Sequence, residues 1–350
     1  MRRPTRLRAA SIALAALAGF ALIATACGSD SDSASGSDPA GSGASSAPEK
    51  LVIAYQAIPN GDLIVKNLGY LEEALPDTEI EWKHFDSGGS VNEAIVAGSV
   101  DIGLAGSSPV SRGISTGIEY QVPWIFDVIG DAEALVAKDG ITSIADLEGK
   151  KVATPFASTS HYSQLAALEA EGLSASDVDI IDAEPDDIYA AWTRGDIDAA
   201  YVWNPNLAKL ESEGGTVLIS SADLAEDGKT TYDLAVVRNE FADQYPDAVQ
   251  TWVDQQNKAV ELYNSDPEAA AAAIAEELNI TPEEAAAQAG DLIFLTASEQ
   301  AGADYLGGGL ATNLFAAAKF NKELGEIDEV QPEQTYLDAV VAEFAENVGG

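Results

Sequence analysis

The chain has 350 residues, with 18 Lys and Arg against 58 Asp and Glu, a net charge of −40 and a single cysteine. So acidic a protein lacks the basic footprint that nucleic acid requires, which excludes nucleic acid as a partner. One cysteine excludes a disulfide scaffold, and the two histidines, His84 and His161, fit no metal-ligand spacing.

The first 26 residues set the expected compartment. Arg2, Arg3, Arg6 and Arg8 form a basic start, Ala9 to Ala26 is small and apolar, and Ala24-Thr25-Ala26-Cys27 suits a lipoprotein signal peptidase. Residues 1–26 therefore read as a lipoprotein signal peptide and Cys27 as the acylated first residue. The protein is then expected outside the cytoplasm, lipid-anchored to the outer face of the cell membrane. The apolar run is short for a spanning helix, which needs about 20 residues. Without the leader, 14 cations face 58 anions, a net of −44. Self-repulsion of that size destabilises a compact fold unless salt screens it, which points to a saline habitat. Residues 27–49 are mostly Ser, Gly, Ala and Asp and read as a flexible tether.

Strands and helices then alternate. Lys50 to Gln56 is β-branched and alternating, Asp62 to Leu75 has helical spacing, and Glu79 to Phe85 is a second strand before the turn Asp86-Ser87-Gly88-Gly89. Ser90 is expected to cap the next helix, which ends at Gly98. Asp101 to Leu104 is a short strand running into Gly106-Ser107-Ser108-Pro109, where serine as cap and proline as first helical residue predict another helix start. Tyr120 to Ile129 and Ala134 to Ala137 read as strands. The pattern repeats with strands at Lys151 to Pro155, Val178 to Ile181 and Ala199 to Trp203. Helices are expected from Ser158-Thr159-Ser160, over Asp186 to Arg194, and after Asn204-Pro205. From Glu240 the chain is mostly helical. Such alternation predicts an α/β fold with largely parallel sheets.

Ligands of open parallel sheets sit beyond the carboxyl ends of strands, where helix N-termini point. Three junctions qualify: Gly106-Ser107-Ser108, Ser158-Thr159-Ser160-His161-Tyr162 and Trp203-Asn204. Each is also explained by ordinary helix capping, but three on one chain weaken that explanation. None contains Lys or Arg, so the expected ligand is a small anion held by neutral donors and partial helix charges. No phosphate loop or dinucleotide glycine pattern is present, no cofactor is implied, and Ser160 beside His161 points in a different direction. An enzyme is therefore not expected.

Longer motifs carry a family resemblance. Trp82-Lys83-His84-Phe85-Asp86-Ser87-Gly88, Ala97 to Gly103, Gly106 to Pro109, Thr154 to Tyr162, Ala190 to Asp198, Tyr201 to Pro205 and Thr231 to Arg238 resemble the taurine-binding proteins of ABC importers. The resemblance runs in order from about Leu51 to Phe344. The wider clan includes binding proteins for alkanesulfonates, nitrate and thiamine precursors.

The resemblance implies a type II periplasmic-binding-protein fold of two lobes with the ligand between them. Residues 50–132 and 233–350 would build lobe one and 133–232 lobe two. It places sulfonate oxygens against Ser107, Ser108, Thr159, Ser160 and nearby N–H groups, with Ser158 also among the ligand-binding residues. Gln56, His161 and Tyr162 would line the cleft, Trp203 would cover the carbon chain, and Asp233 would take the ammonium. The implied partners are taurine or a similar small aminosulfonate and an ABC importer permease with its ATPase, the protein acting as a monomer. An alkanesulfonate or nitrate binder and a sensor-coupled receptor are the alternatives. Ala57-Ile58-Pro59-Asn60, Trp124-Ile125-Phe126 and Asn204 depart from the family pattern.

Overall fold

The structure, a computed structural model, describes residues 47–349. The expected signal peptide, Cys27 and most of the tether lie outside the described residues. No described helix is long and apolar enough to cross a membrane.

Among the described residues, twelve strands form two sheets: β1 Lys50–Tyr55, β2 Glu79–His84, β3 Ile102–Gly106, β4 Tyr120–Gln121, β5 Ile125–Ile129, β6 Glu133–Ala137, β7 Lys151–Thr154, β8 Asp179–Asp182, β9 Ala199–Trp203, β10 Thr216–Ser220, β11 Thr231–Arg238 and β12 Leu292–Ile293. The first sheet has the order β12-β5-β11-β3-β1-β2, with β4 beside β11; the second has the order β10-β6-β9-β7-β8. Two segments cross between them, 130–132 and 221–230. Pairing is parallel in β1–β2, β1–β3, β7–β8 and β7–β9, and antiparallel wherever β5, β6, β10, β11 or β12 enters. The sheets are thus more evenly mixed than the alternation of strands and helices predicts, because the crossing strands run against the βαβ units.

Both faces of the second sheet are covered. In β6, Leu135 and Ala137 enter one apolar cluster, Ala134 and Val136 the other. A strand buried on both faces reads as a continuous apolar run, which is what the sequence shows there. Ala317 and Phe320, on the helix Gly309–Glu323, pack into the first of these clusters. The C-terminal region assigned from the sequence to lobe one therefore also reaches lobe two.

Several element boundaries differ from the sequence expectation. The helix expected over 62–75 is two, Gly61–Asn67 and Tyr70–Ala74, parted by Gly69 at φ 64°. Ser87, not Ser90, caps the helix Gly88–Val96. Gly88 belongs there: a Cβ on it would lie 2.7 Å from Pro109 Cγ, so its bareness lets this helix approach β3. The next helix runs Ser107–Thr116 with Gly106 as cap, which puts Pro109 in the first turn, where its missing N–H has no partner to lose. Pro123 splits the expected long strand into β4 and β5, since proline cannot donate to a ladder. Asn204–Pro205 is a cis peptide, and the helix expected to start at Pro205 runs Asn206–Ser212.

Candidate ligand-binding site

A small, partly enclosed cavity lies between the two lobes. Gln56 follows β1 and Gly106 ends β3; Asp233 lies near the start of β11. From the second lobe come Glu133 at the start of β6, Ser158 and Thr159 after β7, and Trp203 at the end of β9. The parallel strands β1, β3, β7 and β9 thus all direct their carboxyl ends at the cavity, the arrangement that gives open α/β sheets their ligand crevice. The lobes touch around it. Ser87 Oγ donates to Glu184 Oε1 at 3.1 Å, and Asn204 Nδ2 donates to Asp291 Oδ2 at the same distance.

Of the residues singled out from the sequence, Gln56, Ser158, Thr159, Trp203 and Asp233 line this cavity. Ser107, Ser108, Ser160, His161 and Tyr162 are buried outside its lining. Ser107 Oγ accepts from the Tyr232 N–H at 3.2 Å. His161 stacks on Phe156 with ring centroids 4.5 Å apart, and its Nδ1 lies 3.8 Å from Glu326 Oε2 on the other lobe. Burial pushes its pKa down, with Glu326 opposing. Tyr162 packs edge-on against Phe320, and burial raises its pKa to about 12. The cause is helical geometry. With 3.6 residues per turn, only the opening residues of the 159–170 helix face the cleft, and the next ones rotate away.

The hydroxyls expected to grip an anion have another partner. Glu133 is fully buried and accepts from Thr159 Oγ1, from Ser160 Oγ at 2.9 Å, from Ser221 Oγ at 2.7 Å and from Ser163 Oγ at 3.3 Å. Burial raises its pKa while these hydroxyls work against the rise. Ser158 Oγ donates to the Pro155 carbonyl at 2.6 Å and accepts the His161 N–H at 3.1 Å, so it acts as a helix cap.

Two further carboxyl groups stand beside Glu133. Asp127 and Asp233 are directly opposite each other on β5 and β11. Asn60 Nδ2 donates to Asp127 Oδ2 at 3.1 Å. Burial raises the pKa of Asp127 to about 7, and burial with the charges of Asp127 and Glu133 raises that of Asp233 well above the ordinary range. No Lys or Arg lines the cavity, and Trp203 is the one aromatic ring among the lining residues. Gly106, directly opposite Asp233 in the β3–β11 ladder, and Gly88 also line the cavity, at the N-terminal ends of the helices Ser107–Thr116 and Gly88–Val96, and no side-chain cap occupies the first of these. The site therefore combines carboxyl groups able to accept N–H bonds with helix N-termini suited to an anion.

Asp127, Glu133 and Asn60 escaped the sequence reading as site residues, although two carried a signal. Asp127 interrupts the otherwise apolar Ile125–Ile129, and Glu133 heads the apolar run Ala134–Ala137. A carboxylate in a fully buried strand is costly without a function or a partner.

Comparison with known proteins bears on the family and the fold. Residues 49–289 match the family described as the substrate-binding domain of an ABC-type glycine betaine transport system. The taurine-binding periplasmic protein of Escherichia coli strain K12 is 41% identical over 189 residues, covering 54% of this chain; the chain spans 59% of that relative's length. The alkanesulfonate-binding protein of Xanthomonas axonopodis pv. citri bound to MOPS superposes with a TM-score of 0.68 at 22% identity, over 85% of this chain and 98% of that one. The periplasmic aliphatic sulphonate binding protein from Escherichia coli gives 0.66 at 24% identity, over 83% and 92%. These structural likenesses show a periplasmic-binding-protein fold. By the match over residues 49–289, the chain belongs to the family of substrate-binding domains of ABC-type glycine betaine transport systems.

Proposed function

We propose that this protein is the extracytoplasmic solute-binding subunit of an ABC importer, anchored through Cys27, and that its ligand is taurine or a closely related aminosulfonate. The observation that carries this reading is a cavity that holds both kinds of group. Asp233 offers acceptors to an ammonium, with the charge of Glu133 close by, while Gly106 and Gly88 stand at helix N-termini suited to a sulfonate. Charge-assisted hydrogen bonds contribute about 1.5–3 kcal/mol each, enough in number to offset the desolvation of both ends. Glu133 belongs to one lobe and Asp233 to the other, so a bound ammonium favours the state in which the lobes meet. The permease with its ATPase would read that closed state.

The same chemistry argues against two other ligands. A quaternary ammonium has no N–H for Asp233 or Glu133 and is usually held by several aromatic faces, where this cavity offers Trp203 alone. An alkanesulfonate or nitrate would leave Asp233 without a cationic partner. Calorimetric titration with taurine, ethanesulfonate, nitrate and glycine betaine tests the assignment. Taurine is expected to bind tightest. Tighter binding of glycine betaine or ethanesulfonate would overturn it.

A further inference from the structure

Asp127 does not line the cavity, yet it faces the residue that does. In the antiparallel pairing of β5 with β11 it stands directly opposite Asp233, so both side chains leave the sheet on the same face. Both are buried, Asp127 completely. Asn60 Nδ2 occupies Asp127 Oδ2, whereas Oδ1 finds no donor among the described side-chain and backbone groups. Asp233, its partner directly across the ladder, becomes a donor only when it carries a proton. Glu133, from the other lobe, adds a third negative charge felt by both. Asn204, the half-buried Asp291 that accepts from it, Asp131 in the crossing segment, the buried Thr231 on β11 and Gln56 in the lining also stand on the adjoining elements. With no Lys or Arg in the lining, nothing on the protein side neutralises this cluster. Two adjacent buried carboxyl groups cannot both ionise in such a place without a large cost.

We propose that Asp127 and Asp233 share one proton before the ligand binds and that the ligand's ammonium displaces it to solvent. This rests on the ammonium-bearing ligand proposed above. The balance is simple. Before binding, the pair holds one proton and one negative charge. After binding, Asp233 accepts an N–H from the ammonium, both carboxyl groups are ionised, and the proton passes to the buffer. The raised pKa values of both aspartates agree with a proton retained around neutrality. Asp127 is thereby a positioning residue. It touches no ligand atom and sets the charge that Asp233 presents. A sulfonate without an amine leaves the proton where it is.

Calorimetry of the full chain with taurine, at about pH 6.5 in two buffers of unequal ionisation enthalpy, reads the proton directly. The observed enthalpies should differ in proportion to the buffer enthalpies, with a slope of about one proton released, and affinity should rise by up to about tenfold per pH unit. Asp127→Asn should still bind taurine but lose the slope, because an amide N–H can donate to Asp233 without a shared proton. A residue with only a structural role would alter affinity and leave the slope intact. Tight taurine binding with equal enthalpies in both buffers overturns the inference and leaves the proposed function standing. No taurine binding in either buffer overturns both.

Discussion

Replacing Asp62 by Asn is expected to free the protein from part of the pH dependence of its stability. Asp62 lies in the first turn of the helix Gly61–Asn67, behind the cavity wall; Asn60, which caps that helix, is the residue that holds Asp127. It is fully buried, and burial raises its pKa from 3.8 to about 7 against the opposing effects of Gln256 and Lys66. Gln256 Nε2 donates to Asp62 Oδ1 at 2.8 Å, while Asp62 Oδ2 and Gln256 Oε1 both lack a donor. A proton on Asp62 closes this into a cyclic acid–amide pair. Because the folded pKa is raised, the stabilisation is complete below the unfolded value and is lost as pH rises through the folded one. The rise from 3.8 to about 7 corresponds to about 4 kcal/mol when the pH exceeds both values. Roughly 1.5 kcal/mol of that is already lost at about pH 5, so about 3 kcal/mol separates that pH from about pH 8. Asp62→Asn keeps both hydrogen bonds with an N–H that cannot ionise. Urea unfolding of both proteins at the two pH values should show the variant gaining about 3 kcal/mol on the parent. Contributions from Asp127, Glu133 and Asp233 are common to both and cancel. Parallel stability curves would refute the reasoning.

Three other outcomes are expected. Asp233→Ala should weaken taurine binding roughly a hundredfold or more while changing ethanesulfonate affinity little, since it removes the acceptor that only an amine uses; equal losses by calorimetry would reject that role. Gly106→Ala should weaken binding of any ligand with little loss of folding stability. Its Cβ would lie 2.6 Å from Thr159 Cγ2 on the other lobe, and Thr159 is tied to Glu133, so the lobes rather than the side chain must give way; wild-type affinity in this variant would show that the contact is not needed for closure. Molar chloride should raise the melting temperature above its value in dilute buffer, because the chain carries 58 acidic against 18 basic side chains. A melting temperature indifferent to salt would remove the case for a saline habitat.

Much of the scaffold was legible because its signals are local. Ala199–Trp203 is a strand over the predicted residues, and the helix expected over Asp186 to Arg194 runs Pro185–Arg194, closed by Gly195 in the left-handed conformation. The strand-to-helix junctions do face a common cavity. What the sequence could not supply is rotation and company. Whether Ser160 or His161 faces the cleft depends on how a helix is turned about its axis, which is set by contacts with Glu133, 27 residues away, and with Phe156 just before the helix. Nor does a row of hydroxyls declare its acceptor: read alone it suits an anion, and here four of them converge on a carboxylate.

The placement of that carboxylate alters the physical picture of recognition. Asp127 and Glu133 flank the first crossing segment between the lobes, and Asp233 follows the second. Negative charge is therefore gathered where the lobes join, and burial, with the charges of Asp127 and then Glu133, raises the pKa of Asp233 there. On the proposed reading, bringing the lobes together without a ligand compresses like charges in a low-dielectric space, while an ammonium placed between them turns the same charges into a bridge. A zwitterion of no net charge then suits so acidic a protein: its anionic end meets backbone dipoles at the helix N-termini, and its cationic end supplies the neutralisation that the cavity's own residues do not.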